Sequence, residues 1–244
     1  MHIAVAGSTG LVGSQVVRVA EAAGHTVVGI ARATGVDLTT GAGLTELLTG
    51  ADALIDVTQS PTIDLTAVEF FETVAANLGD AATRAGVGRT VVLSIIGIDD
   101  VPELDYYIAK TAQERTHRAH SPGLRILRAA QFHEFAEMSI VWGRNGDTTT
   151  VDDLVSQPVA TAEIARVLVE LATGEREGEL VELAGPKREQ IADLARRVVA
   201  RRGENLTVVA REAPDSIKGG ALLPGPDAII AGPTFDEWLK DQRA

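Results

Sequence analysis

There is no cysteine among the 244 residues of the chain. Disulfides, thiolate nucleophiles and cysteine metal sites are excluded with it. Aromatic residues are scarce, at 4%. The core therefore has to come from Ala, Val, Leu and Gly, as in parallel strands covered by helices. No apolar run approaches the ~18 residues that span a bilayer. The opening Ile3-Ala4-Val5-Ala6 reads as a strand, with no basic leader or cleavage site before it. These absences lead us to expect a cytoplasmic protein without a membrane partner. Positive charge is also in deficit: 22 Lys and Arg against 34 Asp and Glu leave a net −12. A field of that sign repels nucleic acid and anionic lipid. An anionic small molecule would need a local positive patch.

What is present alternates. Strand-like segments rich in Val, Ile and Leu occur at 2–7, 26–31, 53–58, 90–95 and 124–129. Helical patterns lie between them, at about 11–23, 42–49, 64–85 and 104–119, and Gly24 and Gly86 stand where C-cap glycines belong. That alternation predicts an α/β fold with a doubly wound parallel sheet joined by right-handed crossovers. The stretch 33–50 is short, with room for a brief strand at Val36-Asp37-Leu38 or only a turn. After residue 130 the rhythm loosens: a helix at 161–173 with Thr161 as its N-cap, a strand at 180–183, a helix at 188–201, a strand at 206–210 and a last short helix at 234–240. We expect a single domain over 1–244 in which residues from about 131 onward form a smaller C-terminal lobe that holds substrate.

The strongest local signal is Gly7-Ser8-Thr9-Gly10-Leu11-Val12-Gly13, which ends the first strand and opens the first helix. Gly7 permits the tight turn, Gly10 lets backbone approach a pyrophosphate, and Gly13 allows close helix–strand packing. The helix N-terminus supplies N–H groups and partial positive charge, the local patch that the acidic globule lacks elsewhere. This is the fingerprint of a Rossmann-type dinucleotide site. At the end of the second strand stand Ala31 and Arg32. A reader of NAD(H) usually places Asp or Glu there for the ribose hydroxyls. Arg32 instead offers a planar fork to a 2′-phosphate, which favours NADP(H) over NAD(H). Asp37 and Leu38 lie in the loop expected to pass the adenine. Val57, Thr58 and Gln59 follow the 53–58 segment, where backbone is expected to pass the cofactor ribose.

The Gly-x-x-Gly-x-x-Gly spacing, Ala85-Gly86-Val87 leading into Val91-Val92-Leu93-Ser94, Tyr106-Tyr107-Ile108-Ala109-Lys110, Arg128-Ala129-Ala130-Gln131-Phe132, Leu183-Ala184-Gly185-Pro186 and Thr234-Phe235-Asp236-Glu237-Trp238-Leu239 run nearly end to end. Together they resemble the atypical, NmrA-like branch of the short-chain dehydrogenases/reductases. The resemblance implies that Tyr106 is the general acid/base. It also implies that Lys110 lowers the phenol's pKa and holds the nicotinamide ribose, and that Ser94 hydrogen-bonds the substrate carbonyl. The i, i+4 spacing puts Tyr106 and Lys110 on one helix face, and a neighbouring positive charge favours phenolate. Tyr107 points about 100° away, toward packing or the substrate wall.

Gln131, Phe132 and His133 follow the 124–129 segment at the ligand-facing edge, where Phe132 or His133 would line an aromatic substrate's pocket; the alternative is a loop with a buried Phe and an exposed His. His117 and His120, at i, i+3, lack a carboxylate or cysteine to complete a metal set and read as structural, so no metal is expected. Asp99-Asp100 and Asp152-Asp153 read as solvated loop acids. Asn77 fits the superfamily's accessory asparagine poorly and reads as a helix-surface or kink residue.

The function expected is NADP(H)-dependent oxidoreduction of a small carbonyl, quinone or conjugated aromatic compound, by a monomer or homodimer. Two alternatives stay open. One is an NADP(H)-binding redox sensor without turnover. The other is an NAD(P)H-dependent hydroxylase or monooxygenase-type tailoring enzyme of aromatic natural products.

Overall fold

In the computed structural model, which describes residues 1–101 and 103–242, the first strand β1 (His2–Ala6) is buried after its first residue. Such a fully apolar strand belongs inside a parallel sheet, covered on both faces. Then follow α1 (Leu11–Ala22), β2 (Thr26–Ile30), α2 (Leu44–Leu48), β3 (Ala53–Asp56), α3 (Thr66–Ala85), β4 (Arg89–Ile95), α4 (Asp105–His120) and β5 (Arg125–Ala129). The later elements are α5 (Phe135–Trp142), β6 (Arg144–Asn145), β7 (Thr148–Asp153), β8 (Val155–Ser156), α6 (Thr161–Thr173), β9 (Leu180–Ala184), β10 (Glu189–Gln190), α7 (Ile191–Arg202), β11 (Thr207–Glu212), β12 (Ile229–Ile230) and α8 (Phe235–Asp241).

The central sheet is seven-stranded and parallel, in the order β12-β9-β5-β4-β3-β1-β2. β1 pairs with β2 along one edge and with β3 along the other. The strand order therefore reverses at β1, and open α/β sheets bind ligands outside the carboxyl ends of their strands at such a reversal. Here that position is flanked by Gly7 after β1 and Val57 after β3.

Two compact units divide the chain: residues 1–128 with 164–181, and residues 129–163 with 182–244. In the first, α3 has two apolar stripes. Val74, Leu78, Ala81 and Ala82 join Ala4, Ala6, Ile30 and Leu54 of the strands in one core cluster. Ala67 and Phe71 join Ala109 of α4 in another, with Tyr106 packed against it. Burying a ring such as Phe71 contributes roughly 2–3 kcal/mol. Gly79 lets α4 come close, since a Cβ there would lie 2.7 Å from His120 Cβ. The second unit carries a three-stranded sheet, β11-β7-β6, and the antiparallel pair β8–β10. Phe235 and Trp238 of α8 stack on each other at 5.3 Å between ring centroids.

Between β2 and α2 there is a turn and no strand at residues 36–38. Thr34 accounts for it: its hydroxyl accepts from Ala31 N at 3.0 Å and donates to Ala31 O at 2.8 Å, closing a 3₁₀ turn over Arg32–Thr34. Thr161 is the first residue of α6, and its hydroxyl donates to Glu134 Oε1 at 2.8 Å. Among the described residues, no helix is long and apolar enough to cross a membrane.

Candidate active site

The glycine turn is built by backbone constraints that a side chain would violate. Gly7 has φ +83°, a left-handed conformation open to glycine at no steric cost. A Cβ on it would lie 2.8 Å from Val57 O, and one on Gly13 would lie 2.0 Å from Gly7 O. Gly7 N donates to Ile30 O at 2.8 Å and Gly10 N to Gly7 O at 3.0 Å, which pins the turn to β2 and to itself. Gly10, at the N-cap of α1, has no side chain to cap the helix, and the first turn carries no acid. The N–H groups opening α1 are thus left for an anion, and the residues fit a dinucleotide pyrophosphate. Thr9 and Leu11 of the turn are exposed, whereas Ser8 and Val12 are buried.

At the end of β2, Ala31 is buried and Arg32 is exposed on the turn that Thr34 closes. The Asp37 carboxylate accepts from Thr39 Oγ1 at 2.7 Å and Thr39 N at 2.9 Å. Those bonds, with Arg32 adding a weaker attraction, hold Asp37 below the usual carboxylate range. Leu38 is buried. Asn77 reaches across from α3 and donates its amide to Leu38 O at 2.9 Å and Thr39 O at 3.1 Å. Asn77 is therefore the clamp on this loop, a job its place in the sequence did not disclose.

Tyr106 and Lys110 share a face of α4 but reach different acceptors. The Tyr106 phenol donates to Gln59 Oε1 at 2.6 Å. Lys110 is buried, donates to Leu93 O at 2.7 Å and to Gln113 Oε1, and holds its ammonium 4.9 Å from the centre of the Phe71 ring. The edge of Tyr106 packs on that same ring, 6.1 Å between centroids. Burial pushes the phenol up to about 12, against a smaller lowering by Gln59. Burial and Gln59 set the phenol here, and two of the Lys110 ammonium's N–H bonds go to Leu93 O and Gln113 Oε1. Burial brings Lys110 itself down to about 8, with Asp56 and Glu114 working the other way.

Ser94 is buried at the carboxyl end of β4, and its hydroxyl has no partner. Thr58, two residues past β3, is likewise buried with its hydroxyl unpartnered. The register pairs Asp56 with Val92, and Thr58 and Ser94 each follow that pair by two residues at the carboxyl end of the sheet. Two orphan hydroxyls thus stand on one sheet edge, and an unsatisfied buried hydroxyl costs about 1–3 kcal/mol. Val57 is half-buried and Gln59 exposed.

Sequence reasoning missed the group beneath Lys110. Asp56, in the otherwise apolar β3, is fully buried; its Oδ2 accepts from Gln113 Nε2 and His117 Nε2, each at 2.9 Å, and its Oδ1 from Thr58 N at 2.8 Å. Burial alone would raise Asp56, but the bonds from His117 and Thr58 outweigh it and hold the carboxyl low. His117, read as structural, is buried with this carboxylate as its partner. His120 bonds Asp80 Oδ1 at 2.8 Å. Asp99, read as a solvated loop acid, takes both Arg128 Nη1 and Nη2, while Arg128 also forks onto Glu114 at 3.0 and 2.9 Å. Asp152 likewise pairs with Arg211, at 2.6 Å.

Of the residues expected to touch substrate, Tyr107 is buried on α4. In the second unit, Gln131 and Phe132 are half-buried. His133 is buried rather than exposed: its ring sits 5.4 Å from Phe235 and 5.3 Å from Trp238, and Nε2 meets Pro233 O at 3.1 Å. Burial lowers its pKa, and Nδ1 has no partner.

A glycine cradle at the sheet's reversal, beneath an uncapped helix N-terminus, defines a Rossmann-type dinucleotide-binding protein. The chain belongs to the NAD(P)H-binding family, whose model matches residues 7–175. No curated protein sequence matches it. Among solved structures it is similar to a dTDP-4-dehydrorhamnose reductase from Clostridium acetobutylicum, with 18% identity, TM-score 0.73, and coverage of 91% of this chain and 89% of that one. MoeE5 in complex with UDP-glucuronic acid and NAD gives 17%, 0.76, 99% and 97%. NADPH-dependent quinone oxidoreductase QOR2 from Escherichia coli, complexed with NADPH, gives 20%, 0.68, 86% and 78%. At these identities the likeness is one of fold.

Proposed function

We propose that the chain is an NADP(H)-dependent oxidoreductase acting on a small carbonyl, quinone or conjugated aromatic compound. The observation that carries the reading is Ser94, a buried hydroxyl without a partner at the carboxyl end of β4. A ligand oxygen arriving there would relieve its unsatisfied state. The Gly7–Gly13 turn would hold the pyrophosphate, Arg32 a 2′-phosphate, Asp37 and Leu38 the adenine side, and Val57, Thr58, Gln59 and Lys110 the ribose side. Bound NADPH would supply the hydride. Ser94 orients the substrate oxygen with a hydrogen bond. Tyr106 gives its phenolic proton to that oxygen as negative charge develops on it, and the phenolate is then reprotonated from water. A phenol pushed up to about 12 is an acid at neutral pH and not a base, which suits reduction better than oxidation. Tyr107, Gln131, Phe132 and His133 are proposed to contact the substrate. The fold likeness to the NADPH-dependent quinone oxidoreductase of Escherichia coli supports beginning with quinones.

One observation favours a second reading. Tyr106 is bonded to Gln59 and Lys110 to Gln113 and Leu93, internal partners that suit an NADP(H) sensor that does no chemistry. Titration with NADPH and NADH by nicotinamide fluorescence, then NADPH oxidation over a quinone panel with and without oxygen, separates the readings. Quinone-dependent oxidation supports the reductase, and oxygen consumption in step with it would point to the hydroxylase. Tight binding with no oxidation would favour the sensor.

A further inference from the structure

Lys110, Gln113 and His117 follow one another at i, i+3 and i+7, so they form one stripe of α4. Their exposures are 4%, 1% and 0%. The stripe faces Asp56, itself 0% exposed, at the end of β3. The Asp56 carboxylate accepts only and the Lys110 ammonium donates only. The amide of Gln113 between them has therefore one satisfactory orientation, nitrogen to Asp56 and oxygen to Lys110. His117 adds a second donor on Asp56 Oδ2, and Ser121 Oγ lies 2.7 Å from its Nδ1. The other carboxylate oxygen takes Thr58 N, so the same acid also fixes the backbone after β3. Moving a carboxylate out of water costs several kcal/mol unless its lone pairs are satisfied. Here Gln113, His117 and Thr58 satisfy them, and a completed buried network sets geometry rather than merely tolerating charge. Leu93 O and Gln113 Oε1 occupy two of the ammonium's N–H bonds, leaving one for a ligand.

We propose that Asp56, acting through the amide of Gln113 and braced by His117, positions Lys110 for its contact with the cofactor; this rests on the reading of Lys110 as a ribose-holding residue. Asp56 is then a positioning residue. The charged and titratable groups around Lys110 are Asp56 from β3 and, on α4 itself, Tyr106, Glu114 and His117. Glu114 is tied back by Arg128 of β5 and Arg118. From α3 the Phe71 ring faces the ammonium, and β4 offers Leu93 O. Lys110, brought to about 8 by burial, is held up by Asp56 and Glu114. Removing the charge of Asp56 lowers Lys110 further, so the ammonium is lost at a lower pH.

The test is NADPH affinity by fluorescence between pH 7 and 9.5, a range in which the cofactor's 2′-phosphate stays ionised. The variants are Lys110→Met, Asp56→Asn, Gln113→Met and each of the last two combined with Lys110→Met, with thermal melting as a check on folding. Wild-type affinity should fall as pH rises through about 8, and Lys110→Met should be weaker and flat. Asp56→Asn should move the fall down by roughly half a unit or more. It and Gln113→Met should each weaken binding about five- to tenfold at pH 8. In the Lys110→Met background neither should cost more than about twofold, as expected of residues acting through one group. Losses as large without Lys110 as with it, or Asp56→Asn and Gln113→Met binding as wild type does, would overturn the positioning role. Lys110→Met with wild-type affinity and pH dependence would instead remove the ribose-holding reading beneath it. Should Asp56→Asn fail to melt cooperatively, Gln113→Met and its double variant decide by the same criterion.

Discussion

Tyr106 and Gln59 are joined by a 2.6 Å hydrogen bond with the phenol donating, which ties the first turn of the site's helix to the loop after β3. Burial keeps that phenol protonated, at about 12. In the free protein its ionisation should begin only above pH 10, and absorbance titration with Tyr106→Phe as the blank reads it directly. Tyr106→Phe should lower turnover about 100-fold or more, the range of a lost general acid. NADPH affinity should stay within about twofold, since the pyrophosphate turn is untouched. Turnover unchanged in Tyr106→Phe would take the proton-donor role from this residue.

Gly13 has no room for a methyl group. A Cβ there would lie 2.0 Å from Gly7 O, and the atom it meets is backbone, so the turn itself must move. Gly13→Ala should cost at least about 100-fold in NADPH affinity, close to 3 kcal/mol, and lower Tm as well. Gly24→Ala provides the contrast: Gly24 has φ +83° but nothing within 4 Å of its Cβ position. That substitution should cost about 1 kcal/mol of stability and leave NADPH binding alone. Equal losses of binding in both variants would mean that the turn's fit to the pyrophosphate is not what Gly13 protects.

Arg32 is exposed on a turn held by Thr34. If it grips the 2′-phosphate, Arg32→Gln should weaken NADPH about tenfold or more, as a charge-assisted fork is worth more than 1.4 kcal/mol. NADH affinity should be unchanged. Loss of both together would make Arg32 a general electrostatic attractant, and loss of neither would end its part in choosing the cofactor.

The first half of the chain was legible because each signal there is local. Continuous apolar strands, helical periodicity and the Gly7-Gly10-Gly13 spacing require no knowledge of distant residues. The region from 144 to 156 was not. Thr148-Thr149-Thr150-Val151-Asp152-Asp153 has little apolar character, and becomes β7 by pairing in parallel with β11 almost sixty residues later. The site divided the same way. Tyr106 and Lys110 could be placed on one helix face, and the same spacing rule would have added Gln113 and His117 to that stripe. The missing signal was Asp56. An acid closing an apolar strand reads as an ordinary strand end until the fold sets it opposite α4. The burial of His133 was not legible either, because it comes from tertiary packing on Phe235 and Trp238, about a hundred residues away in sequence.

Lys110 carries a stability consequence whose direction follows from its burial. Its ordinary value is 10.5 and in the folded protein it is brought to about 8. Below pH 8 both folded and unfolded chains hold the proton, and the folded one bears the cost of a desolvated ammonium. Between 8 and 10.5 the unfolded chain binds a proton that the folded chain has released, so stability rises with pH across that window. The full rise is on the order of 3 kcal/mol. Lys110→Met removes the group and with it the rise. Urea unfolding at pH 7, 8, 9 and 10 should show wild type gaining on Lys110→Met by about 2 kcal/mol over that range. Tyr106, raised in the folded state, works in the opposite direction but only above pH 10, beyond the last point. A wild type that loses ground to the variant as pH rises would mean the folded ammonium is better off than in water. In that case the attraction of Asp56 and Glu114 exceeds the cost of burial.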